Sequence, residues 1–326
     1  MILVTGGAGY IGSHMVYLLL EKGYDVIVID NLEKGHKKAV LGGKLIVGDL
    51  RDIEFLDKVF SENQIDAVIH FAASSLVGES VLNPMKYYYN NVYGTINLVN
   101  TMIKYDVKKI VFSSTAATYG EPENIPILET DKTLPTNPYG ETKLAIEKML
   151  KWADNAHGLK YVSLRYFNVA GAHPDGLIGE DHDPESHLIP IVLQAALGKR
   201  EKVVVYGNDY DTKDGTCIRD YIHVLDLCEA HLLALQYLDK NNSEIFNLGN
   251  GEGFSVFEVI NTCKEVTGID IKYEIGRRRL GDPSILIASS EKAIKTLDWK
   301  QKYNSLKKIV ETAWKWHSKN PNGFIE

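Results

Sequence analysis

The chain has 326 residues, 44% hydrophobic and 24% charged, with a net charge of −7. That length buries one large core or two, and the composition is that of a globular protein. The negative balance argues against a nucleic-acid binder, and no apolar run approaches the ~20 residues of a membrane span.

Residues 2–5 are a short apolar run ending in glycines, which reads as a buried strand and not as a leader peptide. Residues 12–22 place Met15, Val16, Leu18, Leu19 and Leu20 at helical spacing. Further buried strands are expected over 26–29, 44–47, 66–71 and 109–113. Helices over 52–62, 85–105 and 139–156 fall between them, and strands near 161–165 and 245–248 extend the sheet. This βαβ rhythm predicts an α/β fold, a Rossmann-type doubly wound parallel sheet with helices on both faces.

After residue 170 the texture changes. Residues 171–186 hold Gly, Pro, Asp and His with little periodicity, which reads as a long functional loop. Helices are expected over 187–198, 226–239, 255–267 and 304–318. The expected division is a dinucleotide-binding domain over 1–170, to which strands near 215–250 return, and a smaller α/β substrate domain built mainly from 171–326. The three cysteines, Cys217, Cys228 and Cys263, are odd in number and contain no C-x-x-C pair. Neither a disulfide framework nor a zinc site is expected, so no metal is. Reduced thiols fit a cytoplasmic protein.

Gly7-Ala8-Gly9-Tyr10-Ile11-Gly12 matches G-x-G-x-x-G, and the same stretch reads as Gly6-x-x-Gly9-x-x-Gly12. With 27 glycines such a match means little by itself. Here a strand precedes it and a helix follows, which is the context of a pyrophosphate site. Asp30 ends the second strand, where a carboxylate accepts hydrogen bonds from the adenosine ribose and repels a 2′-phosphate. No arginine follows in 31–38, so NAD is favoured over NADP. Asp49 and Leu50 follow the third strand and could meet the adenine edge; position alone fits a solvated turn Asp nearly as well.

Tyr139 and Lys143 stand four apart, on one face of an expected helix. The spacing recurs at Tyr105/Lys109 and Tyr303/Lys307. The first of these runs from a helix end into a strand, and the second begins a C-terminal helix far from any phosphate loop. The Tyr139 helix follows the fifth strand, whose carboxyl end should face the cofactor. A free tyrosine, with a pKa near ~10, is a poor base at neutral pH. A neighbouring ammonium and a cationic nicotinamide favour the phenolate, which can then take a hydroxyl proton. Thr115, at the end of the fifth strand, could bridge the same hydroxyl or simply cap the strand.

These segments together resemble the extended short-chain dehydrogenase/reductase family and, within it, the UDP-hexose 4-epimerases. The carrying stretches are 4–14 (VTGGAGYIGSH), 29–32 (IDNL), 68–73 (VIHFAA), 77–81 (VGESV), 88–92 (YYNNV), 112–115 (FSST) and 139–143 (YGETK). In the second half they are 164–168 (LRYFN), 171–174 (GAHP), 206–210 (YGNDY), 219–223 (RDYIH) and 278–282 (RRLGD). The second-half stretches are the more specific ones, and the likeness spans nearly the whole chain.

The resemblance implies inversion of C4 of a UDP-hexose through a 4-keto sugar, with NAD held throughout. It implies Tyr139, Lys143 and Thr115 as the catalytic group. Around the cofactor it implies Gly6, Gly9, Tyr10, Ile11 and Gly12 at the phosphates, and Asp30, Asn31, Asp49 and Leu50 at the adenosine. Phe71, Ala72, Ala73, Asn90, Ser113 and Tyr166 complete that set, with Tyr139 and Lys143. Around the UDP-sugar, beside Thr115 and Tyr139, it implies Asn168, His187, Leu188, Tyr206, Arg219, Arg279 and Asp282. An arginine run such as 277–279 is otherwise most often a solvated surface stretch; on a pyrophosphate its forked donors make sense. A homodimer through helices near 85–105 and 140–156 is also implied.

Two positions depart from the family pattern. Ser75 stands where many members carry a lysine, which removes a cationic contact to the cofactor phosphates. Leu286 falls at a size gate that is bulky in strict glucose/galactose enzymes, and so points to some acceptance of N-acetylhexosamine nucleotides. The nearest alternatives are a UDP-glucuronate 4-epimerase, a decarboxylase or a 4,6-dehydratase. The latter two need a further acid or base, yet Thr115 is followed by Ala116, Ala117 and Thr118, with no carboxylate before Glu121. A non-catalytic dinucleotide sensor would not need the Tyr139/Lys143 pair.

Overall fold

A computed structural model of the chain describes residues 1–279 and 283–325. The first half alternates β1 (Ile2–Thr5), α1 (Tyr10–Glu21), β2 (Val26–Asp30), β3 (Lys44–Val47), α2 (Ile53–Glu62) and β4 (Ala67–His70). It continues through α3 (Val77–Leu82), α4 (Pro84–Tyr87), α5 (Gly94–Lys104), β5 (Lys109–Thr115), α6 (Pro138–His157) and β6 (Lys160–Tyr166). The second half holds β7 (Asn168–Ala170), α7 (Leu188–Ala196), β8 (Val203–Tyr206), β9 (Ile218–Arg219), β10 (Tyr221–His223), α8 (Val224–Tyr237) and β11 (Glu244–Leu248). It ends with β12 (Phe254–Ser255), α9 (Val256–Thr267), β13 (Tyr273–Gly276), β14 (Ile285–Leu286), α10 (Glu291–Leu297) and α11 (Leu306–Lys319).

Seven parallel strands form one sheet in the order β11-β6-β5-β4-β1-β2-β3. β1, β2 and β4 are buried along their whole length, which is why they read as unbroken apolar runs: a parallel sheet is covered on both faces. Alternate residues part to the two sides. Ile2, Val4, Val26 and Val28 pack with α1 and α8, whereas Leu3, Ile27 and Ile29 pack with α2, α5 and α6. The strand order reverses between β1 and β4. There the carboxyl ends diverge and open the crevice in which such sheets bind ligands.

A second core joins α7, α9 and α11 to β8 and β10. Its strands pair two or three at a time: β10 with β7, β13 with β8, and β12-β9-β14. Helix starts are chemically marked. Asp52 caps α2, and Ser255 with Glu258 forms a reciprocal capping box on α9. None of the helices in the described residues is long and apolar enough to cross a membrane.

The helix expected over 85–105 is not regular. Residues Tyr88–Tyr93 make a π-helical turn between α4 and α5. Such turns are rare, cluster at functional sites, and leave no apolar-periodicity signature. The Tyr303/Lys307 pair does not lie on one helix either, because Ser305 caps α11 and Tyr303 precedes it.

Candidate active site

The glycine turn lies between β1 and α1. Gly6 has φ +72°, and a Cβ there would sit 2.6 Å from the Ala72 nitrogen; one on Gly12 would sit 2.1 Å from the Gly6 carbonyl. Both glycines are therefore required by the chain's own packing. Gly9 is different: an added Cβ would meet only the Gly6 carbonyl, at 3.4 Å. What its missing side chain clears is the space above the turn. Gly9 is also the N-cap of α1 and offers no side-chain cap. The first N–H groups of the helix, from Tyr10 and Ile11, thus lack intrahelical acceptors and point at that space. A turn that keeps its outer face bare and its helix uncapped fits a pyrophosphate.

Asp30, at the end of β2, is buried, and burial raises its carboxyl above the usual range. Its oxygens accept from the Ala8 and Leu32 backbone N–H groups, both at 2.9 Å. It therefore braces the turn from the position expected to meet a ribose. Asn31 donates to Asp49 at 2.9 Å, and Asp49 holds Arg51 by two bonds of 2.8 and 2.5 Å. Asp49 is thus neither a bare solvated turn residue nor an open acceptor, because Arg51 is clamped onto it. Leu50 is buried beside it.

On the other side of the crevice, Phe71 packs against His231 with ring centroids 4.8 Å apart, and Ala72 and Ala73 follow it. Asn90 lies in the π turn and donates to the Ser74 hydroxyl at 3.1 Å. Its neighbour Asn91 is buried and does more. It accepts from the Ser74 N–H, donates to the Ser74 carbonyl, and donates to Thr142 on α6. The π turn brings both asparagines against the loop after β4, a placement that the regular periodicity of 85–105 does not signal.

Tyr139 enters at the first turn of α6. Asn137 caps that helix by accepting from the Gly140 N–H at 2.9 Å, and Pro138 occupies the first position. A Cβ on Gly140 would fall 2.5 Å from the Ala117 carbonyl. The glycine thus lets the helix start approach the turn after β5, and it brings the Tyr139 phenol beside the Thr115 hydroxyl. Burial pushes the phenol up to about 12, and the Thr115 hydroxyl works against that rise.

Lys143 is one turn on and 3% exposed. Its ammonium donates to the Ser113 carbonyl at 2.7 Å and lies 4.9 Å from the Phe112 ring centroid and 5.9 Å from that of Tyr139. Burial lowers it to about 7, against a smaller opposing pull from Glu147. Glu147, a further turn on, accepts from Ser114 at 2.5 Å and holds Arg165 through bonds of 2.9 and 2.5 Å. Arg165 also donates to Tyr119, whose hydroxyl donates to Asn247. This buried chain fixes α6 against β5 and β6, and nothing in spacing announced it. The Ser113 and Tyr166 hydroxyls are 2.7 Å apart at the carboxyl ends of β5 and β6.

In the second half, Asn168 opens β7 and donates to the Asp220 carbonyl at 3.1 Å. Arg219, in β9, donates to the Ile218 carbonyl at 2.7 Å and is in register with Leu286 of β14. The Arg279 guanidinium lies 4.1 Å above the Tyr206 ring, and Arg278 lies 4.1 Å above that of Tyr210. Two members of the arginine run are therefore stacked and oriented rather than loosely solvated. His187 stands at the N-cap position of α7 just before Leu188 without a side-chain capping bond, its Nδ1 2.5 Å from Glu180 Oε1. Asp282 lies outside the described residues.

A doubly wound sheet, an uncapped glycine turn and a half-buried Tyr one turn before a buried Lys beyond β5 define a dinucleotide-dependent site of the short-chain dehydrogenase/reductase type. Residues 2–249 match the model of the NAD dependent epimerase/dehydratase family. Along the sequence, the chain is 64% identical over 324 residues to the UDP-glucose 4-epimerase of Halalkalibacterium halodurans, covering 99% of this chain and 97% of that one. It superposes on a crystal structure of a UDP-glucose 4-epimerase with a TM-score of 0.98 at 56% identity, covering 100% and 99% of the two chains. The UDP-glucose 4-epimerase of Bifidobacterium longum, in complex with NAD+ and UDP, matches with a TM-score of 0.95 at 44% identity over 99% of each chain. The chain belongs to the NAD dependent epimerase/dehydratase family.

Proposed function

We infer that the chain is an NAD-dependent enzyme that inverts C4 of UDP-hexoses, interconverting UDP-glucose and UDP-galactose through a 4-keto sugar. The observation that carries this reading over elimination or decarboxylation is the surroundings of Thr115. Ala116 and Ala117 bear no proton-transferring group, and the Thr118 hydroxyl is spent on the Thr115 carbonyl at 2.9 Å. A ketose formed there meets no further acid or base in that turn, so reduction back to the alcohol is the course left to it.

Residues of the glycine turn, with Asp30, Asn31, Asp49, Leu50, Phe71, Ala72, Ala73, Asn90, Ser113 and Tyr166, are proposed to hold NAD. Bound there, NAD supplies the acceptor and donor of the C4 hydride. Tyr139, as phenolate, takes the proton of the sugar 4-OH, and the O–H electrons become the second C–O bond of the ketone. Lys143 favours the phenolate by its charge, and Thr115 steadies the same oxygen. After the ketose turns its other face, Tyr139 returns the proton to O4 and C4 is inverted. Asn168, Leu188, Tyr206, Arg219 and Arg279, together with the half-exposed ring of His187, are proposed to hold the UDP-sugar. The arginines match its diphosphate as forked donors.

The enzyme is further proposed to be a cytoplasmic homodimer. Buried Cys228 and Cys263 suit a reducing compartment. Leu82, Met85 and Trp152 are 80%, 70% and 70% exposed on α3, α4 and α6, a costly arrangement unless a second copy covers them. Sedimentation tests that arrangement. The catalytic reading is tested by NMR of UDP-glucose incubated with the NAD-loaded enzyme. UDP-galactose should accumulate without net consumption of NAD; a free keto, dehydrated or decarboxylated product would overturn the reading.

A further inference from the structure

The segment between β7 and α7 carries Glu180, His182, Glu185 and His187 within eight residues. It folds so that one ligating atom from each lies within 4.8 Å of all the others. His182 Nδ1 is 3.2 Å from Glu180 Oε1 and 3.8 Å from Glu185 Oε2. His187 Nδ1 is 3.7 Å from Glu185 Oε1 and 2.5 Å from Glu180 Oε1. Both carboxylate side chains are only 3% exposed. Among the described residues, neither forms an ion pair with a lysine or arginine; their counter-groups are the two imidazoles.

Two buried carboxylates this close repel each other and are poorly solvated, so the arrangement calls for positive charge between them. The donor set, two imidazole nitrogens and two carboxylate oxygens, suits a borderline divalent ion. Zinc bonds of ~2.0–2.1 Å in a tetrahedron would set the ligand atoms ~3.3–3.4 Å apart. Four of the six ligand–ligand contacts lie at 2.5–3.8 Å, the two to Glu185 through different oxygens, and the set spans at most 4.8 Å, so closing onto an ion needs the Glu180–His187 contact to open and the widest pair to draw in by over an ångström.

We propose that Glu180, His182, Glu185 and His187 bind a divalent ion of zinc's class. The ion clamps the segment that ties the second half to the nucleotide half. That segment already bridges the two halves. Tyr10 donates to the Gly171 carbonyl at 2.6 Å, Lys34 to the Asp183 carbonyl at 2.6 Å, and His36 lies 3.4 Å from Asp181. The Trp316 indole donates to the Glu180 carbonyl at 3.1 Å. Ligation through Nδ1 would also fix the His187 ring and leave Nε2 as its remaining donor.

The test uses the full-length, NAD-loaded protein, stripped with EDTA and titrated with Zn²⁺ against a chromophoric chelator. One ion per chain should bind, and the Tm should rise when it does. His182→Asn and Glu185→Gln should each weaken binding by about 10- to 100-fold or more, whereas Cys217→Ser should leave it unchanged. Co²⁺ substitution of the wild-type chain should give the visible absorption of a four-coordinate nitrogen–oxygen site. That reading stands even if a variant fails to fold. A wild-type chain that binds no zinc, binds it equally well as His182→Asn, or gives cobalt only the pale spectrum of the hydrated ion would make the group an ordinary Glu–His ion-pair cluster and end the proposal.

Discussion

The Lys143 ammonium bonds to the Ser113 carbonyl at 2.7 Å and stands 5.9 Å from the centroid of the Tyr139 ring. It is therefore held by the end of β5 rather than by the phenol itself. Removing the phenol should leave the cofactor site intact and remove the proton carrier. Tyr139→Phe is expected to lower kcat by roughly 10²- to 10⁴-fold, the usual worth of a positioned acid or base, with NAD still bound. Turnover measured on the NAD-loaded variant checks this; near wild-type activity would remove Tyr139 from the mechanism.

The same lysine is a stability cost to the empty protein. Burial lowers it to about 7, whereas an unfolded lysine titrates near ~10.4. A depressed folded value means that the unfolded chain binds the extra proton. The penalty is absent above the unfolded pKa and grows as pH falls toward about 7. Lys143→Met should abolish activity yet make the NAD-free chain progressively more stable than wild type as pH drops through that window, at up to about 1.4 kcal/mol per pH unit. Urea midpoints across pH would show the slope; parallel curves would refute it.

Much of this was legible from the chain because parallel strands bury both faces and glycine turns bear a pattern. Runs such as Ile2–Thr5 and Val26–Asp30 can be little else. The Tyr139/Lys143 pair stood out from two lookalikes by its place after β5, not by its spacing. What stayed hidden depends on contacts distant in sequence. Arg51 on Asp49, Asn91 in the π turn, and the Ser114–Glu147–Arg165–Tyr119–Asn247 chain join residues whose proximity only folding creates. The Glu180, His182, Glu185 and His187 spacing resembles no common cysteine–histidine ligand pattern, and only the fold of 171–187 gathers the four side chains.

The glycine turn separates folding from binding. Gly12→Ala drives a Cβ to 2.1 Å from the Gly6 carbonyl and should give little folded protein. Gly9→Ala meets only an ordinary contact at 3.4 Å. It should fold with a Tm near wild type yet bind NAD about tenfold or more weakly, a loss of about 1.4 kcal/mol. Thermal melts and NAD titration of the stripped protein distinguish the two; equal NAD affinity in Gly9→Ala would mean the cleared space is not the phosphate site.

Glu147 and Arg165 form a buried pair, and removing one charge strands the other. Glu147→Gln should destabilise the fold by about 3–5 kcal/mol. Because Glu147 lies one turn beyond Lys143 and holds β5 through Ser114, activity per folded molecule should fall as well. Denaturation with active-site titration checks both, and a shift of less than about 1 kcal/mol would mean that water replaces the lost partner.

Leu286 lies in β14, paired in register with Arg219 on β9, so its side chain belongs to the edge proposed to hold the UDP-sugar. The family resemblance places a size gate at this position, and there a leucine in place of a bulkier residue is expected to admit an acetamido group. Wild type is therefore expected to epimerise UDP-N-acetylglucosamine measurably, and Leu286→Tyr to suppress that activity while keeping UDP-glucose. A pocket filled by an added side chain discriminates by sterics, which typically yields a 10- to 200-fold change in relative kcat/KM, about 1–3 kcal/mol. The ratio of the two substrates' kcat/KM in wild type and variant decides it. An unchanged ratio would place the gate elsewhere, and no N-acetylated product from wild type would show the site closed to that substrate despite the smaller residue.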